Sequence, residues 1–145
     1  MQVAFYKAPG NLADKLIRKF TRGPYSHCEL VIEKIGYSSS AMDGGVRSKA
    51  IDFTDSTTWD VLDVSWFPAS LALAHFEETK GAPYSYAGLV LDQLFNLNVT
   101  GADGAAFCSE WCAEAFSIPN PGVYNPNTLY ELLVLLGRVT ALPKA

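Results

Sequence analysis

The chain lacks several features that would settle its class at once. It has no apolar run near the roughly 18 residues that suggest a membrane span; the longest, Leu132 to Leu136, suits a core helix. It has no basic excess. Eleven Lys and Arg against 15 Asp and Glu leave a net charge of −4, which argues against nucleic acid as the main partner. Lys15, Arg18, Lys19 and Arg22 form a local basic patch that a solvated helix face explains adequately. No signal-like segment is visible, because Lys7 and Pro9 interrupt Met1 to Gly10; the expectation is a protein that is cytoplasmic as synthesised. The three cysteines are an odd number without framework spacing, which favours a reduced compartment. There is no repeat, low-complexity tract or long linker. A 49% hydrophobic share against 18% charged excludes extensive disorder, so residues 1–145 read as one domain. Histidine is scarce: His27 and His75 are the whole supply.

What is present is an α+β pattern, a run of strands followed by a run of helices. Gln2 to Tyr6 alternates as a first strand. Asn11 reads as the N-cap of a helix with Asp14 in its first turn and Leu12, Leu16, Ile17 and Phe20 on one face, ended by Thr21-Arg22-Gly23-Pro24. Ser26 to Glu33 is the most apolar strand, and Gly36 to Ala41 returns beside it as a hairpin. The turn Asp43-Gly44-Gly45 leads to strands over Val46 to Phe53 and Thr57 to Val64. Pro68 opens a helix running towards Gly81, and a second follows Pro83 with Tyr86, Leu89, Val90, Leu94 and Phe95. Asn96 to Gly104 is polar loop. Asn125-Pro126 opens the last helix, striped by Leu129, Leu132, Leu133 and Leu136. The stripes of all these helices are expected to be used by the core.

Between the loop and the last helix, Gly104 to Phe116 predicts a helix with Phe107, Trp111, Cys112, Ala115 and Phe116 on one face and Cys108 in its first turn. Unpaired N–H groups and the positive end of the helix dipole stabilise a thiolate there. A nucleophilic thiol also needs an imidazole. His27 opens the apolar strand, where His27, Glu29 and Val31 share one face and Cys28, Leu30 and Ile32 the other. A hairpin return would set a hydroxyl from Ser38 to Ser40 opposite the ring, supplying nucleophile, base and orienter.

The plainer readings stand beside this one. A cysteine on an apolar helix face is commonly a small core residue, the reading given to Cys28 and Cys112. A histidine in a strand is commonly structural, and His75, mid-helix, reads as surface or half-buried. A zinc site from His27, Cys28, Cys108 and Cys112 fails because His27 and Cys28 point to opposite sheet faces. The acidic residues Glu77, Glu78, Asp52, Asp55, Asp60 and Asp63 share no evident cleft, and Asp43-Gly44-Gly45 is no phosphate loop because it joins two strands.

Taken together, several stretches resemble the papain-like cysteine hydrolases of the NlpC type. Ser26-His27-Cys28-Glu29-Leu30-Val31-Ile32, with Ser40-Ala41-x-x-Gly44-Gly45-Val46, is similar to their His-bearing hairpin. Gly81-Ala82-Pro83-Tyr84-Ser85 resembles their Gly-x-x-Tyr-Asp segment, Phe107-Cys108-Ser109-Glu110-Trp111 their Cys-Ser-Glu helix start, and Asn125-Pro126-x-x-Leu129 a Ser-Pro-x-x-Leu ending. Histidine precedes cysteine, the order of the circularly permuted, YiiX-like branch, with lecithin:retinol acyltransferase a more distant relative. The resemblance implies a papain-like fold with an antiparallel sheet or partial barrel packed against helices. It implies Cys108 as nucleophile and His27 as general base. The family's Glu before the second-strand Ala is Ser40 here, so the third role is open among Ser40, Ser39 and the same-face Glu29.

The implied activity is amide cleavage through a Cys acyl-enzyme on a cell-wall peptide, with no cofactor and no metal. A small peptide, such as a peptidoglycan fragment, or an acyl compound would be the substrate. The alternatives are an acyltransferase or thioesterase acting on a lipid or ester with the same dyad, and a catalytically silent binding or inhibitory module. Short chains of this type resemble ones found in phages and prophages, which would act on the host.

Overall fold

The structure, a computed structural model, describes residues 1–86 and 105–141. The expected helix after Pro83 and the polar loop to Gly104 fall largely on residues 87–104, outside the described residues. Five antiparallel strands form one sheet: β1 (Gln2–Tyr6), β2 (His27–Ile32), β3 (Ile35–Ser40), β4 (Gly45–Ala50) and β5 (Trp59–Asp63), in the order β4-β3-β2-β1-β5. The described helices are α1 (Leu12–Thr21), α2 (Ala69–Thr79), α3 (Cys108–Ala115) and α4 (Pro126–Thr140), with a short 3₁₀ turn at Pro121–Val123. The chain is therefore α+β, with an antiparallel sheet and helices packed on it. None of the described helices is long and apolar enough to cross a membrane.

Strand alternation decides where each face goes. The register pairs Phe5 with Cys28 and Val3 with Leu30, so these four stand on one face. That face meets Ala72 and Phe76 of α2, Trp111, Cys112 and Ala115 of α3, and Leu129 and Leu133 of α4 in the main core. Leu129 and Leu133 are fully buried, each worth about 1.5–3 kcal/mol of transfer free energy. The opposite face carries Ala4, Val31 and Trp59 in a smaller cluster covered by Tyr6, Ile51 and Phe53.

Two helix starts follow the expected capping chemistry. Asn11 accepts from the Asp14 N–H while Asp14 accepts from the Asn11 N–H, and Asn125 accepts from Asn127 and Thr128 ahead of Pro126 at the first helical position. Pro68 is the N-cap of α2, one position earlier than a first-turn proline. One expectation fails. The stripe of α1 does not enter the core: Leu12, Leu16 and Phe20 are 72%, 44% and 54% exposed. Periodicity reports which residues share a face, and α1 turns that face to solvent.

Candidate active site

The site is built where β3 parts from β2. Their pairing runs from Ile32–Ile35 to Leu30–Tyr37 and stops, although β3 remains paired with β4 as far as Ser40–Gly45. Three serines occupy the parting. Ser38 Oγ donates to the Cys28 carbonyl at 2.8 Å, and Ser39 Oγ donates to the Ala106 carbonyl at 2.6 Å. Ala106 also accepts from the Ser85 N–H and bridges Tyr84 in parallel. The lead-in to α3 is thus pinned between β3 and the segment 81–85. That segment is held in turn by Val46 N–H to Ala82 and Gly81 N–H to Val46. Its approach requires glycine at 45, where φ is +153° and a Cβ would lie 2.0 Å from the Ala82 carbonyl oxygen.

This framework sets Cys108, 3% exposed, as the first residue of α3, beside the end of β2 that carries His27. Glu110 Oε2 accepts from the Phe107 N–H at 3.2 Å and fixes the first turn. The His27 ring and the Cys108 sulfur are close enough to act on one another through charge and a side-chain hydrogen bond. A hydrogen bond from Cys28 holds the Cys108 thiol well below its ordinary pKa against the opposing effect of burial, and the charge of His27 adds to it. Burial pushes His27 down, but the thiolate charge and hydrogen bond, then Glu29, raise it well above the ordinary imidazole value. Cys28 shows the contrasting case: burial first, then its thiol neighbours, push its pKa well up.

The imidazole is oriented by a carboxylate. His27 Nε2 lies 2.7 Å from Glu29 Oε1, which leaves Nδ1 as the ring nitrogen for the thiol. Glu29 is 1% exposed and is gripped by Arg47, whose two terminal nitrogens donate to Oε2 and Oε1, each at 2.6 Å. Burial raises the Glu29 pKa, but the bonds from Arg47 and then His27 bring it below the ordinary carboxylate value. Arg47 Nε also donates to Asp43, whose carboxyl is held down to about 2 chiefly by that bond.

The expected orienter, Ser40, is not at the ring. Its hydroxyl accepts from the Asp43 N–H at 3.3 Å, because β3 has left β2 before Ser40 could come opposite His27. Ser40 therefore touches Asp43, Asp43 touches Arg47, and Arg47 touches Glu29. Ser39 serves Ala106 instead. Of the three residues left open for the third role, Glu29 is the one in contact with the imidazole.

Sequence reasoning missed Arg47, Gly36 and Asn127. Arg47 sits opposite Ser38 in β4, and only the β3–β4 register reveals its line to Glu29. Gly36 leaves the space that the ion pair fills, since a Cβ there would stand 3.0 Å from Glu29 Oε2 and 2.9 Å from the Phe53 ring. Asn127 of α4 accepts from the Tyr25 N–H and donates to the Tyr25 carbonyl, pinning the loop that enters His27. Tyr84 is close enough for burial first and the Cys108 charge next to raise its phenol, which keeps a neutral O–H near the thiolate. His75 lies elsewhere, half-buried against Trp111 with ring centroids 5.2 Å apart.

A groove of about 370 Å³ opens on the His27 and Glu29 side, walled by Tyr6, Asp14, Ile17, Trp59, Tyr84 and Tyr86 among others. A larger hollow of about 1140 Å³ opens between residues 31–34 and 50–54, but no cysteine or histidine lines it. Chemistry, rather than volume, locates the site. No family model matches the chain, and no curated protein is significantly similar to it.

Proposed function

We propose that this chain is a cysteine hydrolase of papain-like, NlpC-type architecture that cleaves an acyl bond through a thioester on Cys108. The observation that carries the reading is a thiol at a helix start beside an imidazole that a buried, Arg47-clamped Glu29 orients, with the thiol pKa lowered by Cys28 and then His27. The Cys108 sulfur attacks the carbonyl carbon, and the carbonyl oxygen takes the negative charge beside the Cys108 N–H. The His27 imidazolium gives its proton to the leaving nitrogen or oxygen as that bond breaks. Water, losing a proton to His27, then hydrolyses the thioester and returns the thiolate. Glu29 keeps the ring in place throughout.

For the scissile bond, the proposed first choice is an amide in a short peptide such as a cell-wall fragment. The polar walls of the groove, with Asp14, Asp43 and Lys49 beside aromatic side chains, suit a substrate with charged ends. A second reading, acyl transfer or hydrolysis on a lipid or ester, gains from the exposed α1 stripe, because the core has not consumed all the apolar surface. The test is mass spectrometry of the protein incubated with muropeptides, short-chain esters and phospholipids. An acyl adduct that maps to Cys108 and vanishes in Cys108→Ala is expected. Turnover confined to lipids or esters would reverse the order, and no adduct with any of them would remove the hydrolase reading.

A further inference from the structure

The α1 face that the core leaves out carries its own chemistry. Leu12, Leu16 and Phe20 recur every fourth residue, so they form one narrow ridge along the helix. All three are exposed, Leu12 by 72%. Lys15, Lys19 and Arg22 are exposed too, and among the described residues none of them takes part in an ion pair. Arg18, the remaining basic residue, faces inward and donates to the carbonyls of Ala8 and Pro9. The helix is thus fastened to the body by its polar side and presents apolar and cationic groups outward. The chain as a whole has a charge of −4, so this cationic surface stands against the general sign of the molecule.

We infer that α1 is a docking helix for an anionic lipid bilayer, with Leu12, Leu16 and Phe20 entering the interface and Lys15, Lys19 and Arg22 meeting the headgroups. A convex helix with a narrow apolar ridge fits a plane, whereas a protein partner would need a groove of matching shape. Long lysine and arginine stems can lie along the ridge while their charges reach phosphate. The contrast within the molecule supports the charge argument. Leu135 and Val139 of α4 are also exposed, yet Arg138 is the single basic residue of that helix. Asn11, Asp14 and Ile17 line the groove that holds His27, so a bilayer seated on the ridge would lie at the groove's rim.

Docking does not depend on the proposed chemistry, and the experiment separates them by using Cys108→Ala alongside the wild type. Each is mixed with vesicles of phosphatidylcholine alone, or of equal parts phosphatidylcholine and phosphatidylglycerol, and sedimented. Both proteins are expected to pellet with the anionic vesicles at least tenfold more tightly than with the neutral ones. Raising salt from about 0.01 M to 0.15 M, which contracts the Debye length from about 30 to 8 Å, should weaken this binding. Leu16→Glu with Phe20→Glu should abolish it. Because those side chains are exposed, the far-ultraviolet circular dichroism should not change. Lys15→Gln with Lys19→Gln, a milder pair that leaves the ridge intact, should weaken binding by about fivefold per charge removed. The inference is overturned if wild type ignores anionic vesicles, if the Lys pair binds as wild type does, or if the ridge instead mediates self-association without lipid.

Discussion

The two histidines of this chain sit beside carboxylates and are shifted in opposite directions. His27 lies 2.7 Å from Glu29 and is held well above the ordinary imidazole value, against burial, by the Cys108 charge and hydrogen bond and then by Glu29. His75 lies 3.6 Å from Glu114, beyond hydrogen-bond reach, and burial lowers its pKa despite the charge of Glu78. The carboxylates differ as well. Arg47 holds the Glu29 pKa down in the interior, whereas burial raises that of Glu114. A carboxylate near an imidazole is therefore not sufficient. What raises His27 is first the thiol on one side of the ring and then, on the other, a carboxylate already secured by a guanidinium.

The largest effect should come from Arg47→Met, which strips the clamp from a carboxylate that stays buried. Removing one partner of a buried ion pair costs about 3–5 kcal/mol. Chemical denaturation should show a loss of that order, together with a rise in the pH at which Cys108 becomes alkylated. Unchanged stability would mean that Glu29 is protonated or hydrated in the folded protein, and the contrast with Glu114 would dissolve.

Glu29→Gln should come next. It preserves shape but removes the negative charge beside the imidazolium, so Cys108 should alkylate at least tenfold more slowly at pH 6. In wild type, the lowered thiol value means that reactivity persists below the ordinary thiol pKa of about 8.5. It falls only as the pH drops through the Cys108 value. Glu29→Gln should move that acid limb upward, and Ser40→Ala should leave it nearly in place. A shift from Ser40→Ala as large as that from Glu29→Gln would overturn the assignment of the orienting role to Glu29.

His75→Gln should give the smallest change, leaving Cys108 reactivity within about twofold, the scale at which separate sites act independently. It should alter the acid dependence of stability. With a folded value below the unfolded value of about 6.5, wild type loses stability as the pH falls below 6.5, because the unfolded chain binds the proton first. The variant should lose less over that range. A thermal melt at pH 7 and pH 5.5 measures the difference.

The same contrast explains what could be read from the sequence. His27 and Cys108 stood out because histidine is scarce and the thiol falls at a predicted helix start, and both positions needed only local periodicity. Glu29 was available as a same-face neighbour of His27. Its preference over Ser40 is not legible, because the sequence predicts a continuous hairpin and the strands instead separate after Tyr37. Arg47 needed two registers at once, and Gly36 needed the position of a ring from the segment after β4. The outward face of α1 was illegible for another reason. Amphipathicity groups residues onto a face without naming what that face meets.

The distances along the chain have a consequence in time. Cys28 and Cys112 touch across 84 positions, and Asn127 ties down Tyr25 across 102. A ribosome therefore makes all five strands, with His27, Glu29 and Arg47 among them, before it reaches Cys108. Until α3 docks, Cys108 is an ordinary thiol with a pKa of about 8.5, mostly protonated and slow to react. The growing polypeptide carries no armed nucleophile until α3 meets the strands made before it.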